Sequence, residues 1–174
     1  MRQLDLMSYI RNVPDFPKAG VQFKDVTTLL KEKDAFRKTI DILTHLFEDK
    51  NIDLVVGIEA RGFIFGAPVA YLLNCGFVPI RKQGKLPAAV KSKTYALEYG
   101  TASLEMHTDA IMTNQRVAII DDLLATGGTT RAACDMIEEL GGEIVGIGYV
   151  IELESFQGRK LLEKYPVYSL MKIE

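Results

Sequence analysis

The sequence predicts an α/β fold with a twisted, mostly parallel sheet and helices on both of its faces. Three apolar runs, residues 53–58, 117–120 and 144–151, are typical of strands that are buried on both faces. Segments with helical spacing of apolar residues alternate with these runs, which indicates a parallel sheet. The 174 residues are enough for one compact core, so we expect a single domain over residues 1–174.

The first third of the chain mixes irregular and regular segments. Residues 4–10 have the pattern of a short helix, and Pro14 and Pro17 then indicate an irregular approach. Residues 21–26 alternate apolar and polar side chains, which predicts a short strand or an extended loop. Asp34 is expected to be the N-cap of an amphipathic helix. The apolar face of that helix consists of Phe36, Ile40, Leu43 and Phe47.

The middle of the chain continues the alternation of helix and strand. Residues 64–73 are predicted to be helical, with Pro68 tolerated near the start or as a kink, and residues 77–80 form the next strand. The polar, basic stretch 81–100 contains glycine and proline and lacks a clear pattern, which is typical of a lid loop. Residues 103–111 alternate and predict a strand.

The last third is expected to contain a helix, a short helical turn and two strands. The helix follows Thr130, and Gly141 and Gly142 are expected to end it. Residues 144–151 are one strand, residues 160–165 form the turn, and residues 167–173 form the last strand. The pattern leaves the order of the strands in the sheet open.

Composition and charge argue against several classes of protein. The net charge is −2 at pH 7 and the sequence pI is about 5.8, so we expect no nucleic-acid partner. No long apolar span and no signal-like N-terminus are seen, so we expect no membrane association and a cytoplasmic location. Cys75 and Cys134 lie in apolar contexts and are expected to be reduced core residues.

Residues 117–131 have the pattern of an anion-binding site. Two adjacent carboxylates, Asp121 and Asp122, follow an apolar run, and small or hydroxyl-bearing residues extend from Ala125 to Thr130. Glycines let backbone N–H groups approach an anion, and the first N–H groups of the next helix point at it. The paired carboxylates can accept hydrogen bonds from neighbouring hydroxyls or help to hold a divalent cation. We therefore expect a sugar that carries a phosphate.

Five motifs occur in this chain in an order and spacing that resemble a known family. They are FPKAGVQFKD (16–25), GIEARGFIFG (57–66), RKQGKLP (81–87), YALEYG (95–100) and DDLLATGGT (121–129). Together they resemble the type I phosphoribosyltransferases, and among these the adenine-specific family, over nearly the full length. The resemblance implies the type I phosphoribosyltransferase fold, with a small N-terminal hood (residues 1–33) and a flexible lid loop (residues 81–102).

The resemblance also implies an activity: transfer of the 5-phosphoribosyl group from phosphoribosyl pyrophosphate (PRPP) to adenine, giving AMP and pyrophosphate in purine salvage. Asp121 and Asp122 would address the ribose 2′- and 3′-hydroxyls. The 5′-phosphate of PRPP or AMP would be wrapped by Ala125, Thr126, Gly127, Gly128 and Thr129.

Pyrophosphate binding would involve two further segments. The loop after the strand at 53–58 would line it, with a non-proline cis peptide at Glu59–Ala60 or Ala60–Arg61. A basic cluster of Arg81, Lys82 and Lys85 would stabilise the negative charge of the departing pyrophosphate. Lys91 and Lys93 continue this cluster, but solvation at the surface explains them equally well. The pyrophosphate-binding residues implied are Glu59, Ala60, Arg61, Gly62, Arg81, Lys82 and Lys85.

Adenine would be bound by the hood and the lid. The flat ring of Phe23 suits stacking on a purine. Backbone groups of Gln22 and Lys24 would read the edge of the base, and Arg61 would contact it. Glu98, the implied catalytic residue, would exchange a proton with the purine near N7, and the lid residue Tyr99 lies beside it.

Ala125 points to adenine as the acceptor base. Related enzymes for hypoxanthine and guanine carry an Asp at this position that acts on N7, so an Ala moves the proton chemistry to Glu98. Two alternatives stay open: a transferase for a 6-oxopurine or xanthine, and a non-catalytic regulator that binds PRPP. The resemblance further implies Mg²⁺ bound with PRPP or pyrophosphate, without an assured direct protein ligand, and a homodimer in which the lid reaches the neighbouring site.

Overall fold

The structure is a computed structural model that describes residues 5–96 and 101–174. The chain begins with a 3₁₀ turn, Leu6–Tyr9, and an antiparallel hairpin of β1 (Arg11–Pro14) and β2 (Gln22–Asp25). Two helices follow, α1 (Thr27–Leu30) and α2 (Lys33–His45).

The main sheet is built from the elements after residue 53. Its strands are β3 (Leu54–Ile58), β4 (Gly76–Lys82), β5 (Val90–Ala96), β6 (Thr101–His107), β7 (Arg116–Leu124), β8 (Glu143–Leu153) and β9 (Val167–Ile173). The helices are α3 (Arg61–Leu72), which follows β3, and α4 (Gly128–Glu139), which follows β7. Short 3₁₀ turns lie at Glu48–Lys50, Glu154–Phe156 and Gly158–Leu162.

The sheet has seven described strands in the order β5-β6-β4-β3-β7-β8-β9. Strands β4, β3, β7, β8 and β9 are mutually parallel, whereas β6 pairs antiparallel with both β4 and β5. From β3 the chain crosses to β4 on one side, and from β7 it crosses to β8 on the other. The carboxyl ends of β3 and β7 therefore flank a crevice at which parallel α/β sheets bind ligands.

Both faces of the sheet are covered, as the sequence predicts. In β3, Val55 joins a buried cluster with Leu43 of α2 and Phe65 of α3. The next residue, Val56, joins a second buried cluster with Met136 of α4 on the opposite face. Successive strand residues point to opposite faces, so a run without polar residues is needed where helices cover both. The mostly parallel sheet with helices on both faces is confirmed.

Several local expectations are wrong or need new boundaries. The N-cap of α2 is Glu32, which makes no side-chain capping hydrogen bond, and not Asp34. Asp34 lies in the first turn, where its negative charge interacts favourably with the helix dipole. Helix α3 begins at Arg61, three residues early, and contains Pro68 in its interior. The approach at residues 11–14 is β1 rather than irregular, because it pairs with β2.

Residues 81–96 contain more regular structure than expected. Strand β4 continues to Lys82, and Val90–Ala96 forms β5, which pairs with β6 from Val90↔His107 to Ala96↔Thr101. Residues 97–100 lie outside the described residues. Across residues 5–96 and 101–174, none of the helices has the length and apolarity that crossing a bilayer requires.

Candidate functional site

A cavity of about 290 Å³ lies at the carboxyl ends of β3, β4 and β7. The structure brings together there three segments that the sequence indicated separately. Lining residues from these segments are Glu59, Ala60, Arg61, Lys82, Asp121, Asp122, Ala125, Thr126, Gly127, Thr129 and Thr130. Tyr95 of β5 and Leu104 of β6 add a wall from the antiparallel part of the sheet.

Asp121 and Asp122 form the floor of this cavity. They lie within β7, which continues to Leu124, so their side chains leave the strand in different directions. The Asp122 backbone N–H donates to Asp121 Oδ1 at 2.9 Å. Asp122 Oδ2 lies 2.9 Å from Arg61 Nε, yet no described group makes a well-aligned hydrogen bond to it. This buried oxygen is therefore suited to accept a hydrogen bond from a ligand hydroxyl.

Burial dominates the electrostatics of the carboxylate pair. Loss of water around Asp121, together with the neighbouring Asp122 carboxylate, raises the pKa of Asp121 well above its ordinary value. Burial also raises the pKa of Asp122, although the Arg61 guanidinium opposes that shift. Two carboxylates enclosed in this way gain from hydroxyl donors, because each new hydrogen bond compensates for lost hydration.

The loop after β7 leads into the N-terminus of α4. Gly127 is the N-cap of this helix and has a left-handed backbone (φ +81°), which favours glycine. The first helical bond runs from the Arg131 N–H to the Gly127 carbonyl, so the N–H groups of the preceding turn face the cavity side. Thr129 Oγ1 donates to Tyr95 Oη at 3.2 Å. The arrangement is that of an anion cradle at a helix N-terminus.

The turn between β3 and α3 closes the opposite wall. The Glu59–Ala60 peptide bond is cis, at one of the two positions predicted. Gly62 lies behind the lining residues: a β-carbon there would come within 2.9 Å of Asp121 Oδ1 and of the Ile120 carbonyl oxygen. Gly62 therefore permits the close approach of α3 to β7.

The three basic residues that were expected to bind pyrophosphate, Arg81, Lys82 and Lys85, differ in their surroundings. Lys82 lines the cavity. Arg81 Nε lies 3.2 Å from Glu59 Oε2, and the Lys82 backbone N–H donates to the same oxygen at 2.9 Å. Burial raises the pKa of Glu59, but the hydrogen bonds from Lys82 and Arg81 lower it by more, so that the pKa lies below its ordinary value. Arg81 also donates to the Lys85 carbonyl, so a pyrophosphate contact by the Arg81 or Lys85 side chain stays a prediction.

Lys91 and Lys93 do not line the cavity, and their partly exposed side chains form ion pairs at the surface. Lys91 Nζ lies 2.9 Å from Glu139 Oε2, and Lys93 Nζ lies 3.0 Å from Glu139 Oε1 and 3.4 Å from Asp135 Oδ2. Both acidic residues belong to α4, and the two lysines are alternate residues of β5. The ion pairs therefore fasten β5 to α4.

The expected base-binding residues occupy both faces of the hairpin. Arg61 Cζ lies 5.2 Å from the centre of the Phe23 ring, so Arg61 connects Asp122 to the expected base platform. The side chains of Gln22 and Lys24 bond to Asn12, at 2.7 and 2.9 Å. The expected contacts of the Gln22 and Lys24 backbone groups with a base stay a prediction.

Two residues that line cavities, Tyr95 and Phe156, had no role in the sequence-based prediction. Gln22 and Lys24 line a second cavity of about 780 Å³, which Phe156 also lines with half of its surface exposed. An aromatic residue in the otherwise polar stretch after β8 was the available signal for Phe156. Tyr95 stands in one of the five motifs, without an assigned role. Glu98 and Tyr99 lie outside the described residues, so their roles stay predictions.

A family model described as "Phosphoribosyl transferase domain" matches residues 25–174 of the chain. This range contains the whole seven-stranded sheet and the lining of the first cavity. The chain therefore belongs to the phosphoribosyltransferase family.

Within that family the chain is similar to adenine phosphoribosyltransferases. The adenine phosphoribosyltransferase of Clostridium tetani is 57% identical over 171 residues, which are 98% of this chain and 99% of that protein. The crystal structure of the enzyme from Thermoanaerobacter pseudethanolicus is 51% identical, with a TM-score of 0.94 and coverage of 97% and 98% of the two chains. The Saccharomyces cerevisiae enzyme, crystallised with an imino-altritol bisphosphate and adenine, is 38% identical, with a TM-score of 0.89 and coverage of 95% and 96%.

Proposed function

We propose that this protein is an enzyme that transfers the 5-phosphoribosyl group from PRPP to adenine, giving AMP and pyrophosphate in purine salvage. The observation that carries the proposal is the single cavity shared by the paired carboxylates and the glycine-containing N-terminus of α4. Relatives more than half identical over nearly the full length are named adenine phosphoribosyltransferase. The yeast neighbour was crystallised with adenine and a bisphosphate, which supports the same pair of ligand types here.

The ribose phosphate is held by hydrogen bonds of two kinds. The 2′- and 3′-hydroxyls donate to Asp121 and Asp122, and the buried Asp122 Oδ2 has an acceptor position available for one of them. The 5′-phosphate accepts hydrogen bonds from the loop 125–129 and from the N-terminus of α4, where the helix dipole favours negative charge. Both contacts hold the ribose with its C1′ toward the Glu59–Arg61 turn.

Pyrophosphate leaves into the part of the cavity between β3 and β4. Backbone groups of Glu59, Ala60 and Arg61 line it, and Lys82 supplies a positive charge at its wall. A cation beside the departing oxygen lowers the energy of the transition state, where negative charge on pyrophosphate grows. Arg81 and Lys85 add positive potential next to this wall.

Mg²⁺ is proposed to enter with PRPP, and a direct bond from Asp121 or Asp122 to the ion is left open. No group of three or more His, Cys, Asp or Glu side chains suited to a metal occurs in the described parts of the chain. Glu59 Oε2 is paired with Arg81, whereas Asp122 Oδ2 has no well-aligned hydrogen bond despite its contact with Arg61. The ion, when bound, neutralises pyrophosphate charge.

Adenine is proposed to stack on Phe23 and to contact Arg61 and the backbone of Gln22 and Lys24. The hood, residues 1–33, and the lid, residues 81–102, enclose it. Glu98 of the lid, with Tyr99 beside it, exchanges a proton with the purine near N7 as N9 bonds to C1′. Exclusion of water prevents hydrolysis of the activated ribose.

We also propose a homodimer and a cytoplasmic location. Helix α3 is apolar on its outer face as well, where Ile64, Tyr71 and Leu72 are exposed by 39%, 84% and 50%. A helix that is apolar all round is normally covered, and a second copy of this chain is the proposed cover. Cys75 and Cys134 are both free thiols, which suits a reducing compartment.

A base-by-base assay tests the proposed reaction. With PRPP and Mg²⁺, adenine is expected to yield AMP and pyrophosphate, and hypoxanthine, guanine and xanthine are expected to react far more slowly. Chromatographic separation of the nucleotides measures each rate. A rate with guanine equal to that with adenine would contradict the choice of base, and PRPP binding without any nucleotide product would favour the regulator.

A further inference from the structure

An ion pair between the half-buried Arg159 and the buried Glu152 lies behind the loop 125–129. Glu152, in β8, has a side chain that is only 6% exposed, and Arg159 donates to both of its oxygens, from Nε at 2.6 Å and from Nη2 at 2.8 Å. Ser169 of β9 donates to Glu152 Oε2 at 2.7 Å, and Arg159 Nη1 donates to the Val167 carbonyl at 2.7 Å. This bidentate, half-buried network holds Arg159 in one place against β8 and β9.

The residue before Arg159 packs directly on the loop that is proposed to bind the 5′-phosphate. A β-carbon on Gly158 would overlap the carbonyl oxygen of Ala125, and one on Gly127 would lie 2.6 Å from the carbonyl oxygen of Gly158. Gly158 is buried, and Gln157 before it has a left-handed backbone (φ +53°). Backbone therefore lies against backbone, without a side chain between the two segments.

We propose that Arg159, Glu152 and Ser169 are positioning residues for the 5′-phosphate site, because they hold Gly158 as the back wall of the loop 125–127. An anion cradle made of backbone N–H groups works only when these groups converge on one point, and a small displacement of the loop disperses them. The network transmits no charge to the ligand; it fixes the position of the segment against which the loop rests. The inference rests on the proposed function for the identity of the ligand.

The test uses two variants. Arg159→Met removes the guanidinium group while it keeps much of the side-chain volume, and Arg159→Lys keeps a charged donor in its place. Arg116→Met is the matched control. Arg116 also donates to a carbonyl, that of Lys50 at 3.0 Å, and to a carboxylate, that of Glu143 at 2.9 Å. Its side chain is 37% exposed, as is that of Arg159, but it begins β7 at the end of the sheet opposite the cavity.

Arg159→Met is expected to raise the KM for PRPP about tenfold, with the KM for adenine and kcat changed by less than about twofold. The Kd for ribose 5-phosphate, measured by calorimetry, is expected to rise by a similar factor, with part of the loss restored in Arg159→Lys. Arg116→Met is expected to leave both quantities within about twofold of the wild type.

Two readouts separate this inference from the proposed function. Ribose 5-phosphate binding does not require transfer to a base. A higher Kd for ribose 5-phosphate in Arg159→Met therefore supports the positioning role even if the wild type forms no AMP. Equal KM and Kd values in Arg159→Met and Arg116→Met would overturn the positioning role, whatever the activity of the wild type. An equal increase in the KM values for PRPP and adenine would also overturn it, since a general loss of structure has that effect.

Discussion

Asp121 and Asp122 are neighbouring carboxylates in a largely buried strand, and the environment that suits them to ribose hydroxyls is costly in the free protein. Because the pKa of Asp121 is raised in the folded state, the folded protein binds more protons than the unfolded chain above the ordinary aspartate pKa of about 3.9. The contribution of Asp121 to stability therefore falls as the pH rises from that value through the folded pKa.

Asp121→Asn is expected to stabilise the free protein while it weakens binding. The amide keeps an acceptor for the Asp122 N–H but has no charge to bury, so Tm should rise, by roughly 2–4 °C for each kcal/mol gained in a chain of this size. The gain should be larger at pH 8 than at pH 5. The KM for PRPP should rise about tenfold, as expected when a hydrogen bond to a charged acceptor is weakened.

Thermal unfolding at both pH values and steady-state kinetics measure these effects. Asp41→Asn is the control, since Asp41 is 56% exposed on α2 and should gain no comparable stability. A lower Tm for Asp121→Asn at pH 8 would show that the ionised carboxylate is stabilised rather than strained in the folded protein.

Gly127 combines a left-handed backbone with a close neighbour. In Gly127→Ala, the new methyl group would meet the Gly158 carbonyl, so we expect a loss of stability of about 1 kcal/mol or more and an increase of at least about tenfold in the KM for PRPP. Kinetics and chemical denaturation measure the two effects.

Gly141→Ala separates strain from binding. Gly141 has a similar backbone (φ +91°) and close contacts with Thr113, but it lies at the far end of α4 from the cavity. We expect this variant to lose stability while it keeps the wild-type KM for PRPP. An equal increase in KM in both variants would assign the effect to α4 as a whole instead of the loop.

At the scale of elements, β5 lies within residues 81–102, the expected lid loop, and contacts α4. Its alternate lysines pair with Asp135 and Glu139 of α4, and Tyr95 accepts a hydrogen bond from Thr129. Strand β5 therefore joins residues 83–89 to the segment that contains Glu98, and its ion pairs hold it against α4.

Lys82 and Lys93 offer a comparison between a cavity cation and a structural one. Lys82→Met should raise the KM for pyrophosphate in the reverse reaction about tenfold, because it removes a charge from the cavity wall while its backbone bond to Glu59 remains. Lys93→Met should change this KM by less than about twofold, because its charge is engaged by α4. Equal effects of the two substitutions would show that the whole basic stretch acts through its general field.

The elements that could be predicted from the sequence are those whose stability is local or whose burial is complete. β3, β7 and β8 have apolar runs because helices cover both faces. Strand β5 was missed because its residues are mainly polar and because the two acids of α4 that pair with its lysines are distant in the chain. The site followed the same division: Asp121 and Gly127 stand in one short motif, whereas the contact of Gly158 with that motif depends on tertiary packing.

At the scale of the whole molecule, α3 has two roles. Its N-terminus places Arg61 between Asp122 and Phe23, and its outer face leaves Tyr71 exposed by 84%. We propose that the dimer forms through this face, whose exposed residue Ile64 lies about one helical turn from the cavity residue Arg61. That arrangement would allow the lid of one subunit to reach the other's site.

Tyr71→Glu tests the dimer. Because Tyr71 makes little contact within its own chain, a charge there should leave the fold intact, yet it would be enclosed in an apolar interface without a partner. The wild type is expected to sediment at twice the chain mass of 19.4 kDa, and the variant at 19.4 kDa. Met112→Glu, at an exposed apolar residue (67%) away from α3, should remain dimeric. A monomeric wild type, or a Tyr71→Glu variant that stays dimeric at micromolar concentration, would exclude α3 as the interface.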